Sequence, residues 1–427
     1  MFLKKIQRIW GIKDLRKKIL FVLSMLIIFR IAAHIPVPGV NIENLKELFS
    51  QNQMLGMLNV MSGGAMSNFS VVAMGVAPFI TASIIMQLLT MIVPKLEELS
   101  KQGPAGRKKI NQYSRFLTVP LAIFQSYGMI TLLRQSSATI VSDLSLIQTL
   151  HIMLVMTAGT VFLMWLGELI TEKNIGNGVS LIIFAGIVER IPASLQQTIV
   201  TFSSSKIMEF LILTGLAVIT IAGVVMITQA QRNIPVTYAR RVRGRKMFGG
   251  RDTYLPLKVN QAGMIPIIFA ISVVLFPGLI GKIMMRSGTA FIANVGEFLA
   301  GVMQNQLIYG LIYFALVVAF AYFYTSIVFH PDEISENLQK QGGFIPGIRP
   351  GDHTSDYLAA ISKRVMFAGA MSLGIIAVLP VIIQNTFQTS SFVIGGAAVL
   401  IVVSVVLRTV KQIKAQISMH EYEGGAN

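Results

Sequence analysis

Cysteine is absent from the 427 residues, which excludes disulfides and thiolate chemistry. Charge is scarce: Asp, Glu, Lys and Arg make up 13% of the chain, against roughly 25% in a soluble globular protein. It is also one-sided, with 36 Lys and Arg against 19 Asp and Glu. The five His are scattered, at His34, His151, His330, His353 and His420, and no His-Glu-x-x-His pair for zinc occurs. A Gly-x-Ser-x-Gly elbow and a phosphate loop ending in Lys-Ser or Lys-Thr are also missing. The sequence therefore predicts no metal site, no cofactor and no catalytic residue, and leaves any nucleotide-driven step to a partner.

What the chain has in abundance is apolar surface, 53% hydrophobic residues and a mean hydropathy of +0.67. Runs near the about 20 residues needed to cross a hydrocarbon core of about 30 Å lie at 19–35, 73–93, 116–133, 146–170, 179–198, 207–229, 262–281, 307–329, 365–384 and 391–407. The reading is an all-α polytopic membrane protein with ten transmembrane helices and both ends on one side. That side collects 29 of the 36 Lys and Arg, the opposite side six, and Arg30 lies near the outer end of the first run. Cytoplasmic loops gather Lys and Arg, so both termini are expected in the cytoplasm. The basic arm before the first run resembles a secretory signal, but no small-residue cleavage site follows, so the run reads as an uncleaved helix.

Between Met54 and Pro94 a Gly- and Ser-rich stretch runs directly into a hydrophobic span. Lipid cannot satisfy the amides of irregular backbone, so such a stretch belongs inside protein or beside an aqueous cavity. A pathway through the membrane is expected there. Two cytosolic loops, about 230–260 and 330–364, are longer than connections usually are without a function. The first carries Arg240, Arg241, Arg243, Arg245, Lys246 and Arg251, and clustered Arg suits phosphate or carboxylate recognition. The plainer reading is topogenic charge.

The span interiors hold little that ionises. Glu168, Glu189 and Glu209 fall toward the ends of apolar runs, which reads as helix-end pairing and gives an ion-coupled secondary transporter, the alternative function, no midplane site. Aliphatic pairs at helical spacing, Val76 with Ile80, Ile183 with Ile187 and Ile265 with Ile268, each share one helix face. By itself this is ordinary helix packing. Polar residues such as Thr81, Gln87, Gln125, Asn260, Gln261 and Ser272 suit interhelical glue, either as a reversible interface or as permanent packing. Asn68-Phe69-Ser70 matches a three-residue glycosylation pattern of high false-positive rate.

Several motifs carry a resemblance. Arg30-Ile-Ala-Ala-His-Ile-Pro-Val-Pro-Gly39, Ser62-Gly-Gly-Ala65, Pro78-Phe-Ile-Thr-Ala-Ser-Ile-Ile85, Gly106-Arg-Lys-Lys-Ile-Asn-Gln-Tyr113, Asn177-Gly-Val-Ser-Leu-Ile-Ile-Phe-Ala-Gly-Ile187, Asn260-Gln-Ala-Gly-Met-Ile-Pro266 and Ile348-Arg-Pro-Gly351 follow one another from first span to last. Together they resemble the SecY family, the channel subunits of the bacterial protein translocase, and the Ile-Arg-Pro-Gly loop resembles the bacterial branch.

The resemblance implies two pseudo-symmetric inverted five-helix halves, 19–200 and 201–407, around an hourglass pore, with a basic arm at 1–18 and a tail at 408–427. It implies a plug over about 57–70, including Met61, Ser62, Gly63, Gly64, Ala65 and Met66. The pore ring would comprise Val76, Ile80, Ile183, Ile187, Ile268 and Ile401, with Ile265 adjacent, and the lateral gate would hold Thr81, Gln125 and Ser272. Arg240, Arg241, Arg243, Lys246 and Arg349 would meet cytosolic partners. Those partners would be the motor ATPase SecA and the ribosome, with contacts to ribosomal RNA, beside the subunits SecE and SecG. The translocating polypeptide, its signal sequence and membrane lipid complete the set, in a bacterial cytoplasmic (inner) membrane. One departure stands out: Glu189-Arg190 occupies a place where the family pattern leads one to expect smaller, less polar residues.

Overall fold

The computed structural model describes residues 10–38, 40, 42–51, 59, 62–134, 145–200, 207–238, 241–243, 246–248, 252–285, 289–387 and 396–424. Helix α1 (Lys13–Ala33) is followed by the short α2 (Ile42–Gln51) and a series of turns over 62–76. Helices α3 (Ala77–Ile92), α4 (Pro94–Lys101) and α5 (Pro104–Arg134) come next. Proline opens α3 and α4, where its missing N–H costs nothing, and α3 bends by 101° into α4 at Val93. Helices α6 (Leu146–Glu172), α7 (Gly178–Val200) and α8 (Ile207–Gln229) follow. A reciprocal capping box between Ser145 and Gln148 starts α6.

A hairpin then leaves the helices. Its strands are β1 (Gln231–Tyr238), β2 (Arg241–Arg243), β3 (Lys246–Phe248) and β4 (Asp252–Lys258). The chain continues through α9 (Ile265–Met284), α10 (Ala290–Gln304), α11 (Gln306–Val328), α12 (Pro331–Lys340), β5 (Gly343–Phe344), α13 (Asp352–Phe387) and α14 (Gly396–Gly424). Strand β1 pairs antiparallel with β4, Gln231 opposite Lys258, and with β5, Thr237 opposite Phe344. The sheet order β4-β1-β5 joins the two long loops into one unit. Its own core is Ile234, Val236, Leu257, Ile345, Leu358 and Ile361.

Each of the ten predicted apolar runs overlaps a helix, yet the boundaries differ instructively. The second helix begins at Ala77, four residues later than expected, because the chain spends 62–76 in turns that Pro78 then converts to helix. Helix α10 was not anticipated, its 15 residues being too short for a span. By length and composition alone, three helices among the described residues suffice to cross a membrane: Leu146–Glu172, Gln306–Lys340, where α11 continues into α12, and Asp352–Leu379. The bent pair Ala77–Ile92 and Pro94–Lys101 makes a fourth.

Packing sorts the long helices. Helix α3 packs on α5, α5 on α6, α6 on α7, and α1 on both α6 and α7. Helix α9 packs on α11, α11 on α13, and α14 on both α8 and α13. The two sets meet where α7 lies on α14 and where α3 and α5 touch α9. Many large apolar side chains on helix surfaces remain exposed, Phe116, Leu154 and Phe291 among them. Such a surface fits a lipid solvent.

Candidate functional site

Polar side chains of the turn segment substitute for the hydrogen bonds that a helix would make. Ser62 Oγ donates to Asn59 O (2.9 Å) and accepts from Met66 N–H (3.1 Å). Asn59 Oδ1 accepts from Ser67 N–H (3.1 Å), Ser67 Oγ donates to Gly64 O (3.0 Å), and Ser70 Oγ donates to Ala65 O (3.1 Å). A backbone bridge couples the segment to the end of α1, Val37 N–H donating to Phe69 O (2.9 Å) and Val71 N–H to Ile35 O (3.0 Å). Backbone amides inside an apolar assembly are thereby satisfied without regular structure.

Gly63 and Gly64 adopt φ of +69° and +83°, a region that favours glycine. A Cβ on Gly63 would stand 2.8 Å from Phe29 Cζ, and one on Gly186 of α7 would overlap the Gly63 backbone. A Cβ on Gly159 of α6 would likewise overlap Val71 O. The turn segment is seated by glycine on both sides of the contact.

The segment adjoins one large apolar core, to which α1, α6, α11 and α13 also contribute. Val76 at the start of α3, Ile80 on α3, Ile183 and Ile187 on α7, Ile268 on α9 and Ile401 on α14 are all buried members, and Ile265 is half-buried against them. Four helices distant in sequence thus place the aliphatic residues singled out above into a single cluster. Ala65 and Val72 of the turn segment join it, whereas Met66, Phe69, Ala73 and Met74 join a second cluster with Leu45, Met129 and Ile152. The segment therefore bridges two cores. Ser62, Gly63, Gly64, Ala65 and Met66 all lie within these turns, and Met61 lies outside the described residues.

Thr81 is buried on α3 and Ser272 on α9, two helices that touch, and Gln125 is half-buried on α5. Their hydroxyls do not bridge helices as polar glue would. Thr81 Oγ1 donates to Ala77 O (3.0 Å) and Ser272 Oγ to Ile268 O (3.0 Å), each within its own helix. A hydroxyl one turn from a free carbonyl lone pair satisfies itself locally. Gln87 Oε1, Ser126 Oγ, Asn260 Nδ2 and Gln261 Oε1 are buried without a partner. The Asn68-Phe69-Ser70 pattern falls in the same tight turn, with Phe69 and Ser70 buried, which does not suit modification.

Arg241 and Arg243 lie on β2 and Lys246 on β3, where Arg241 pairs opposite Phe248 and Arg243 opposite Lys246. Arg240 lies outside the described residues. Arg349 is exposed on the turn after β5, held from beneath by Thr354 Oγ1 donating to Arg349 O (2.9 Å) and Ser335 Oγ to Gly351 O (2.7 Å). Ser355 Oγ donates to Asp332 Oδ1 (2.5 Å), tying α13 to α12. On α4, Glu97 accepts from Lys101 Nζ (2.7 Å) and raises the pKa of that ammonium. No three His, Asp or Glu side chains converge as metal ligands among the described residues.

One charged contact was not foreseen. Arg30 of α1 pairs with Glu189 of α7, and His34 Nε2 lies 3.5 Å from Glu189 Oε1. The unusual acidic residue thus has a partner from the first helix. The periodicity of either helix carries no sign of it.

The SecY family profile matches residues 70–410. A protein translocase subunit SecY of Mycobacterium bovis is 46% identical over 96% of this chain and 97% of its own length. The chain belongs to the SecY family. A SecY of Streptomyces galbus is 43% identical over the same shares of both chains. Among solved structures, a protein-conducting channel superposes with a TM-score of 0.63 at 17% identity, covering 93% of this chain and 91% of that one. A SecY structure concerned with a plug domain that stabilises the closed channel gives 0.66 at 18%, again over 93% and 91%. Canine Sec61 in a ribosome-channel complex gives 0.62 at 17% over the same shares. The SecY fold is therefore shared by all three, and the curated relatives named here are translocase subunits. The transporter alternative is set aside.

Proposed function

We propose that this chain is the protein-conducting channel of a bacterial translocase. It passes unfolded secretory polypeptides across the cytoplasmic membrane and releases apolar segments sideways into lipid. The observation that carries the reading is that Val76, Ile80, Ile183, Ile187, Ile268 and Ile401, brought by four helices distant in sequence, are all buried in the one large core that also takes in Ala65 and Val72 of the turn segment. In this reading Val76, Ile80, Ile183, Ile187, Ile268 and Ile401, with Ile265 beside them, form the constriction, and the plug spans about 57–70.

A narrow aliphatic collar dewets and blocks ions, yet offers no hydrogen bond or charge to hold a passing chain. Transport indifferent to sequence follows. Ten spans in two inverted halves, 19–200 and 201–407, with both termini cytoplasmic, agree with the two packing groups and with the Lys and Arg bias.

The lateral exit opens where α3 and α5 part from α9 and α11, lined by Thr81, Gln125 and Ser272. Leu contributes about 0.3 to 0.6 kcal/mol on entering lipid, while a central Lys or Asp costs about 2.5 to 3.5 kcal/mol. Partitioning through that seam sorts membrane helices from secreted chain. The joined cytosolic loops, with Arg240, Arg241, Arg243, Lys246 and Arg349, offer a basic platform to the ribosome and to SecA, whose ATPase drives export. SecE and SecG are the expected membrane partners.

The deciding experiment stalls a secretory chain in the reconstituted complex and crosslinks it from single cysteines at Ile80, Ile187 and Ile268. The natural chain has no cysteine to interfere. Contact at all three is expected, and absence of contact at all three overturns the ring. Polar replacement of Ile80 and Ile187 together is expected to raise the resting ion conductance of the reconstituted channel.

A further inference from the structure

One tie to the turn segment comes from a guanidinium of α1. Arg30 Nη2 donates to Ala185 O (2.6 Å), and its Nη1 donates to Gly63 O (3.2 Å) while pairing with Glu189 Oε2. One side chain of α1 therefore holds the turn segment and α7 at once. Its backbone is fixed in turn: Arg30 O contacts His34 Nδ1 at 2.9 Å, and the other His34 nitrogen faces Glu189. The Arg30 Cζ sits 5.1 Å from the centroid of Phe29, the same ring that abuts Gly63. Glu189 also borders Gly64, its Oε2 being 3.8 Å from where a Cβ there would lie.

We propose that Arg30 and Glu189 form a latch on the plug, Arg30 gripping the Gly63 carbonyl and Glu189 orienting Arg30 to do so. The inference rests on the reading of about 57–70, of which 62–70 are described, as the plug. Both charged residues belong to α1 and α7, so only the Gly63 contact breaks when the segment leaves. The ion pair and the Ala185 contact stay behind. No charge is orphaned by opening, which makes the latch reversible. A guanidinium suits the task because its fork of donors reaches three acceptors in fixed directions, which an ammonium does not.

Arg30 is 21% exposed and Glu189 37%, so solvent tempers the pair. The latch biases the seated state only by what it contributes there and not elsewhere. Glu189→Gln and Arg30→Lys are therefore expected to raise the resting ion conductance of reconstituted channel about threefold to tenfold. The structural check is a single cysteine at Ser67, half-buried in the turns. Its labelling by a water-soluble maleimide should accelerate in both variants while the complex assembles and melts as before. Arg30→Lys keeps the charge and so separates loss of the fork from loss of the ion.

Deletion of 62–70 distinguishes the two readings. If deletion raises conductance and both point variants leave conductance and labelling unchanged, the latch is overturned and the plug stands. If deletion itself leaves conductance unchanged, the plug reading fails and the latch with it.

Discussion

At Gly63 two independent constraints meet. Its φ of +69° favours glycine, and the place a Cβ would take is 2.8 Å from Phe29 Cζ. Gly63→Ala should therefore unseat the turns at a cost of about 1 to 3 kcal/mol, read as a lowered melting temperature together with increased resting conductance. Tyr313 shows the opposite logic. It is fully buried on α11 and its hydroxyl has no hydrogen-bond partner. Removing an unsatisfied buried hydroxyl relieves a desolvation cost of about 1 to 3 kcal/mol, so Tyr313→Phe should leave the melting temperature unchanged or raise it.

Thr81 of α3 and Ser272 of α9 donate to carbonyls of their own helices, not to each other's. These two hydroxyls therefore add no interhelical bond to the proposed seam. The double variant Thr81→Val with Ser272→Ala should change export by no more than about twofold, whereas interhelical glue would make the loss large. The helices themselves were largely legible: the run predicted at 207–229 is α8, Ile207–Gln229, without adjustment. The β-unit was not, since β1 buries only Ile234 and Val236 on its inner face among otherwise exposed or half-buried neighbours. So weak an alternation is lost beside the long hydrophobic runs.

Across the whole molecule, the two packing groups meet at two places, α7 on α14 and α3 with α5 on α9, and the proposed lateral gate is the second. Paired cysteines that lock α3 to α9 are expected to block export, measured as processing of a secretory substrate into sealed vesicles; undiminished export from a locked channel would sink the lateral-gate reading. The sheet order β4-β1-β5 places the Arg349 turn and the basic hairpin on one body. Charge reversal at Arg349 should slow motor-driven export while the complex stays assembled, since the residue is exposed and its turn is held by Thr354 and Ser335 through backbone atoms.

Sequence alone determined what one-dimensional physics controls: which stretches are apolar enough to be helices, where glycine and serine interrupt them, and which aliphatic residues recur on one face. Those properties depend on neighbours three or four residues away. Tertiary structure decided which faces meet. It drew Val76, Ile183, Ile268 and Ile401 into one cluster, turned Thr81 and Ser272 back on their own helices, and paired Arg30 with Glu189 across more than 150 residues. A charge finds its partner through space, and the spacing along a chain carries no record of that distance.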